Sequence, residues 1–167
     1  MPRRYQIARA VLLAALASVY GCSASIDLKT ALQISDVSSG YYDAGLNPQG
    51  LNKLVPSLTF TVRNGADTPL SSIDMVVLFW QTGKDSELDE LVVKVIGGEG
   101  LAPGASSEPV VLRASVGYTT GGARAELFNH GDFIDITAKL FVKRGGRIQS
   151  AGEYKIDRKL LLSAPTK

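Results

Sequence analysis

The chain predicts an all-β fold, a β-sandwich of about seven strands, and three observations carry that prediction. Apolar and polar residues alternate with period two in several segments. The cleanest is 133–143, where Ile134, Ile136, Ala138, Leu140 and Val142 oppose Asp135, Thr137, Lys139 and Lys143. Turn formers punctuate the chain at short intervals, at Asn64-Gly65, Gln81 to Asp85, Gly97 to Gly100, Pro103-Gly104 and Gly145-Gly146. After the N-terminal apolar run no helical periodicity is sustained.

Taken in order, residues 28–37 read as a strand, with Leu32, Ile34 and Asp36 sharing one parity. Residues 38–52 read as loop, broken by Gly40, Gly45, Asn47-Pro48 and Gly50. Leu58, Phe60 and Val62 alternate with Thr59, Thr61 and Arg63, the pattern of a half-buried strand. Further strands follow at 73–81, 91–96 and 110–116. Residues 123–128 suit a short helix, because Ala, Arg, Glu and Leu are good helix formers, with Gly131 as its left-handed cap. Gly145-Gly146 turns the 133–143 strand back on itself, and 148–162 closes the sheet with Tyr154 and Ile156 inward.

The N-terminus has a different character. Arg3, Arg4 and Arg9 precede an apolar run from Ala10 to Tyr20, and Val19-Tyr20-Gly21 leads to Cys22. A basic start, a short apolar core and a small-residue end describe a cleaved secretory signal. The run is about half the roughly 20 residues a membrane-spanning helix needs. Val19, Gly21 and Cys22 resemble the signal of a bacterial lipoprotein, in which the cysteine is acylated and becomes the first mature residue. Cys22 is the chain's one cysteine, and a thioether to lipid accounts for an unpaired thiol in an exported protein. Simple cleavage after Ala24, giving a secreted soluble protein, is the alternative. The expected organisation is a signal peptide at 1–21, a tether at 22–27, the sandwich domain at 28–162 and a tail at 163–167. By the lipoprotein resemblance, Ser23 rather than Asp after the cysteine implies a cell-envelope site, at the outer membrane facing the periplasm rather than at the inner membrane.

The formal charge of +2 misleads. Three of the 18 basic residues lie in the signal and none of the 16 acidic ones do, leaving 15 against 16. No basic run or aromatic-basic stripe marks a nucleic-acid binder, so no nucleic-acid partner is expected. No phosphate-binding loop, zinc motif or nucleophile elbow occurs, and neither cofactor, metal nor catalytic residues are expected. His130, the one histidine, sits in Asn129-His130-Gly131-Asp132 and reads as a loop residue beside a turn glycine. Asp85, Glu87, Asp89 and Glu90 read as a solvated acidic loop, because they lack calcium-loop spacing.

Several short motifs occur together: Val62-Arg63-Asn64, Pro69-Leu70, Leu78-Phe79-Trp80 and Leu101-Ala102-Pro103-Gly104. Together they resemble the small immunoglobulin-like modules of bacterial envelope proteins, of the FxLYD type, over about a third of the chain. The aromatic element departs from that pattern, since Val77-Leu78-Phe79-Trp80-Gln81 lacks a Tyr-Asp ending. The resemblance implies an immunoglobulin-like β-sandwich and no enzyme activity.

The candidate site comes from segment 73–81, where both faces are apolar. Ile73, Met75, Val77 and Phe79 form one set, and Val76, Leu78 and Trp80 form the other with Asp74. Phe141 also stands among the outward polar residues of its strand. If the two strands pair, Val76, Leu78, Trp80 and Phe141 make one outward apolar patch, and such patches mark interaction sites. Two other readings stay open: cover by Leu28, Leu32 and Ile34 or by the loop at Tyr41 and Tyr42, and a register in which Trp80 is core. The functional expectation is a non-enzymatic envelope lipoprotein, held to the membrane by its N-terminal lipid and acting as a protein-interaction or structural module for an envelope protein partner. Glycan or small-ligand binding through Tyr41, Tyr42, Trp80 or Tyr118 is the alternative, and a hydrolase using His130 ranks last.

Overall fold

The computed structural model describes residues 27–161 as two sheets packed face to face, antiparallel except for one short parallel pair at 41–42 and 160–161. The signal, Cys22 and the tail from 162 onward lie outside the described residues. The elements are α1 (Leu28–Ala31), β1 (Leu32–Leu46), β2 (Asn52–Asn64), β3 (Ile73–Gln81), β4 (Glu87–Ile96), β5 (Val110–Arg113), β6 (Tyr118–Thr120), a 3-10 turn (Arg124–Asn129), β7 (Ile136–Arg144), β8 (Arg147–Lys155) and β9 (Leu160–Leu161). One sheet runs β5-β2-β1-β9, with β6 also on β2, and the other runs β4-β3-β7-β8. The all-β sandwich read from the alternation is the observed fold.

The core lies between the sheets. Phe60, Leu58 and Leu54 of β2 meet Met75, Val77 and Phe79 of β3 and Ile136, Ala138 and Leu140 of β7, all at 0% exposure. Removing one such side chain from water contributes about 1.5–3 kcal/mol. No disulfide is needed to hold a core of this size.

Several boundaries differ from the sequence reading, each for a physical reason. Residues 28–31 are one helical turn capped by Asp27, whose side chain accepts from the Lys29 N–H, and Leu28, Ala31 and Leu32 are buried. β1 then continues to Leu46, through what reads as loop. A bulge between Ser35 and Ser38 adds a residue to β1, with Asp36 in the left-handed region at φ 51°. Its carboxylate accepts from the Thr61 hydroxyl at 2.6 Å and the Ser35 hydroxyl at 3.1 Å, and these bonds hold it below the usual carboxylate range. The inserted residue switches parity: Leu32 and Ile34 lead inward before it, Ser39 and Tyr41 after it. Gly40 serves close approach, since a Cβ there would lie 2.9 Å from the Lys159 carbonyl oxygen of the segment entering β9. The 3-10 turn replaces the expected α-helix, and it ends on extended His130, so Gly131 does not act as a left-handed cap. β4 begins at Glu87, four residues before its apolar run, and β9 crosses back to the first sheet.

Pro56 lies within central β2, where its missing N–H would ordinarily break a ladder. It stands where β2 changes partner: Asn52–Leu54 pair with β6, and Ser57–Phe60 pair with β5. Its carbonyl still accepts, from Ala114 N–H at 3.0 Å.

Asn64 closes one end of the sandwich. Fully buried, it donates through Nδ2 to the carbonyls of Thr68 (2.9 Å) and Leu101 (2.8 Å), and its Oδ1 accepts from Ala66 N–H (2.9 Å). Gly104 N–H donates to the Asn64 carbonyl at 2.8 Å, and Leu70 and Leu101 exchange backbone bonds. The Val-x-Asn, Pro-Leu and Leu-x-Pro-Gly motifs therefore meet at one hydrogen-bonded clamp.

Candidate interaction face

The outer face of the four-stranded sheet is set by β3 and β7. Because Met75, Val77 and Phe79 point into the core, their neighbours Asp74, Val76, Leu78 and Trp80 point out. On β7, Ala138, Leu140 and Val142 point in, so Thr137, Lys139, Phe141 and Lys143 point out. The register of the strands then forms four rows. Lys94, Asp74, Lys143 and Ile148 make the first, and Val92, Val76, Phe141 and Ser150 the second. Glu90, Leu78, Lys139 and Glu153 make the third, and Glu87, Trp80, Thr137 and Lys155 the fourth.

Val76 thus sits directly beside Phe141, with Leu78 and Trp80 continuing along β3. All four are half-buried, as expected of side chains that shield one another across a sheet surface. Phe79 is the buried residue of its pair, so Trp80 is not core. Trp80 is fixed from two sides. Its Nε1 donates to the Lys84 carbonyl at 3.0 Å in the β3–β4 turn, and the Lys139 ammonium lies 4.4 Å from its ring centroid.

Among the described residues, the segments named as possible cover lie elsewhere. Leu28, Ala31, Leu32 and Tyr41 belong to the core, and Tyr42 lies on the outer side of the other sheet beneath the Arg113 guanidinium, 3.8 Å away. Sequence reasoning missed two members of the face, Val92 at 60% exposure and Ile148 at 57%. The signal for Val92 was present: Leu91, Val92 and Val93 are apolar on consecutive, opposite-facing positions, as in β3.

The other rings do not assemble with Trp80. Tyr41 packs with Phe128 (5.2 Å) and Phe133 (5.4 Å) inside the sandwich, and Tyr118 stacks on Phe133 at 4.7 Å with its hydroxyl donating to the Ile134 carbonyl. Burial pushes the Tyr41 hydroxyl far above its ordinary range, and that hydroxyl has no hydrogen-bond partner. Beside this cluster, Arg158 donates to Asp135 at 2.7 Å and Lys155 approaches it at 3.4 Å. The Arg158 bond, against the opposing effect of burial, holds the Asp135 carboxyl below its usual range.

His130 is exposed on the loop before β7. Its Nδ1 accepts from Asp132 N–H at 3.3 Å and lies 3.7 Å from the Asp132 carboxylate. The acidic group divides: Glu87 and Glu90 face outward, while Asp89 turns to the β5–β6 connection. Burial works to raise the Asp89 carboxyl, but bonds from the Ser115 N–H and hydroxyl, Glu90 N–H and Val116 N–H outweigh it and hold the group low. Among the described residues, no three His, Cys, Asp or Glu side chains gather as metal ligands, and no helix is long and apolar enough to cross a membrane.

No family model and no curated protein matches the chain. A solved structure described as Northeast Structural Genomics Consortium target SoR45 aligns with 77% of this chain and 88% of its own, at 13% identity and a TM-score of 0.43.

Proposed function

We propose that this chain is a non-enzymatic envelope lipoprotein, anchored through acylated Cys22 and acting as a protein-interaction module. Its working surface is the face of Val76, Leu78, Trp80 and Phe141. The observation that supports this is an apolar centre on the outer side of a sheet, where antiparallel sandwiches ordinarily present polar side chains. Around it stands a rim of charges, the arrangement of interfaces whose centre excludes water and whose edge stays solvated. Envelope placement rests on Arg3, Arg4, Arg9 and the Val19-Tyr20-Gly21-Cys22 sequence, and the outer membrane facing the periplasm on Ser23 after the cysteine.

Intact mass of membrane-fraction protein, wild type beside Cys22→Ser, tests the anchor. The expected result is an acylated chain beginning at Cys22, with the lipid lost in the variant. A soluble wild-type product beginning near Ser25 overturns the anchor. For the face, Leu78→Asp and Trp80→Ala are expected to retain the fold and lose a co-purifying envelope protein or self-association. Unchanged association in both folded variants overturns the role of the face.

A further inference from the structure

We infer that the face binds a second copy of this chain, across a two-fold axis that runs along the strands between β3 and β7. This rests on reading the face as an interaction surface, and it names the partner. Closed two-fold pairing requires a self-complementary patch. For two sheets meeting face to face with their strands aligned, the axis lies in the plane between them and runs either along the rows or along the strands.

An axis along the rows, through Val76 and Phe141, sets each strand on its own copy. Lys143 then falls on Lys139 near the centre, and the Asp74 carboxylate is buried against Leu78. Like charges brought together in a desolvated centre are costly. An axis along the strands instead sets β3 on β7 of the second copy and β4 on its β8. Val76 then meets Phe141, and Asp74 meets Lys143. Glu87 meets Lys155, which also approaches Asp135 within its own copy. Two matches are unfavourable: Glu90 with Glu153 at the outer edge, and Leu78 with Lys139, whose ammonium lies over the Trp80 ring of its own copy.

Of the four charges that this axis pairs, Asp74, Lys143 and Glu87 are left available within one copy, and Lys155 lies against Asp135. Among the described residues, Asp74, Lys143, Glu87, Glu90 and Lys94 form no ion pair of 4.0 Å or less, although Asp74 and Lys143 are cross-strand neighbours. The symmetric fit therefore combines a central apolar contact, made twice, with flanking opposite charges, made twice. Sheets that pack face to face cross at about 30°. That crossing keeps the central strands in contact and spreads the edge strands, which loosens both the Glu90–Glu153 and the Glu87–Lys155 matches and leaves Asp74–Lys143 as the main charge pair.

Size sets the strength. Four strands about 4.8 Å apart and rows about 7 Å apart cover roughly 500 Å² per copy. That is below the roughly 800 Å² per partner of a stable complex, so the pairing is weak and reversible.

The test uses the full chain carrying Cys22→Ser, which leaves any introduced cysteine as the only thiol. Sedimentation over a wide concentration range is expected to show a monomer–dimer equilibrium that Asp74→Lys weakens about tenfold or more. The double variant Asp74→Lys/Lys143→Asp is expected to restore it, because the pairs re-form only when both surfaces carry the swap. Independently, mixing Asp74→Cys with Lys143→Cys protein is expected to give dimers linked by a short bis-maleimide faster than either alone, since facing Cα atoms of sheets about 10 Å apart lie beyond direct disulfide reach. Preferential linkage of Phe141→Cys to itself overturns the strand-parallel axis. A monomer at all concentrations with no preferential cross-link overturns self-pairing. In that case the interaction face still stands if Leu78→Asp strips a co-purifying protein from the membrane fraction, and fails with self-pairing if it does not.

Discussion

The two sheets present opposite characters to solvent. On the five-stranded sheet, β1 and β2 turn Ser35, Ser38, Thr59 and Thr61 outward, bonded to one another where they meet: the Ser35 and Thr61 hydroxyls lie 2.7 Å apart. On the four-stranded sheet, the equivalent central strands turn out Val76, Leu78, Trp80 and Phe141. Both faces are built on the same kind of inward row, so core formation does not demand the difference. A sandwich strand needs apolar residues on its inward side only, so the second apolar side of β3 is more than the core requires.

The largest test of that distinction compares neighbours on one strand. Phe79→Ala is expected to cost about 3–5 kcal/mol, the usual loss for an aromatic removed from a packed core. Trp80→Ala, one residue on and facing out, is expected to cost less, about 1–2 kcal/mol, for the shielded part of the ring and the lost Lys84 bond, with no core cavity left behind. Chemical denaturation of both variants reads the difference directly. Comparable losses would place the outer face among the elements that hold the fold.

Next come the polar groups. Asn64→Ala removes the Asn64 partner of the Thr68 carbonyl and the Ala66 N–H and leaves the Leu101 carbonyl with the Leu70 N–H, and a loss of about 2–3 kcal/mol is expected in the same unfolding measurement. An unchanged midpoint would mean that the clamp contributes nothing. Asp135, by contrast, is an ion-paired carboxylate at the sandwich end. Its folded pKa is depressed by Arg158, so its stabilisation is complete above the unfolded value of about 3.9 and is lost as pH falls through the folded value. Asp135→Asn is expected to lower stability by about 1 kcal/mol at neutral pH and by progressively less below about pH 4. A gap that stays constant with pH would remove the ion pair from the account.

The smallest effects separate the two outer faces most cleanly. Thr59→Val, on the polar face, is expected to change stability by about 0.5 kcal/mol or less. Leu78→Asp, on the apolar face, is expected to do little more to stability while abolishing association. Loss of association in both variants would show that the contrast between faces has no functional meaning.

Strict alternation made the sandwich legible, and it separated the two faces of β3 and of β7; which face of β3 is inward, and that Trp80 stands beside Thr137, came only from the observed pairing and burial. β1 was only half legible. The extra residue at Asp36 inverts parity midway, and any period-two pattern dissolves across such a bulge. Of the glycines that suggested a loop, Gly40 is there because the Lys159 carbonyl comes close, and Gly45 and Gly50 because their φ angles are 81° and 75°. Ile148 was missed because an isolated apolar residue beside a turn carries no periodic signal, and only the pairing with Lys143 places it on the face. The Asn64 clamp was visible as separate motifs, but its joining of residues 64, 68 and 101 needs three-dimensional proximity.

Trp80 is the chain's one tryptophan, and it stands at the border between the apolar centre and the charged rim, its indole N–H tied to Lys84 and its ring beside Lys139. The protein therefore carries a built-in optical gauge of this face. Emission from a single indole has no second source to dilute it, and it shifts to shorter wavelength when water leaves the ring. Whatever settles on this sheet, a second copy or another protein, will announce itself in the intrinsic fluorescence of the unlabelled chain.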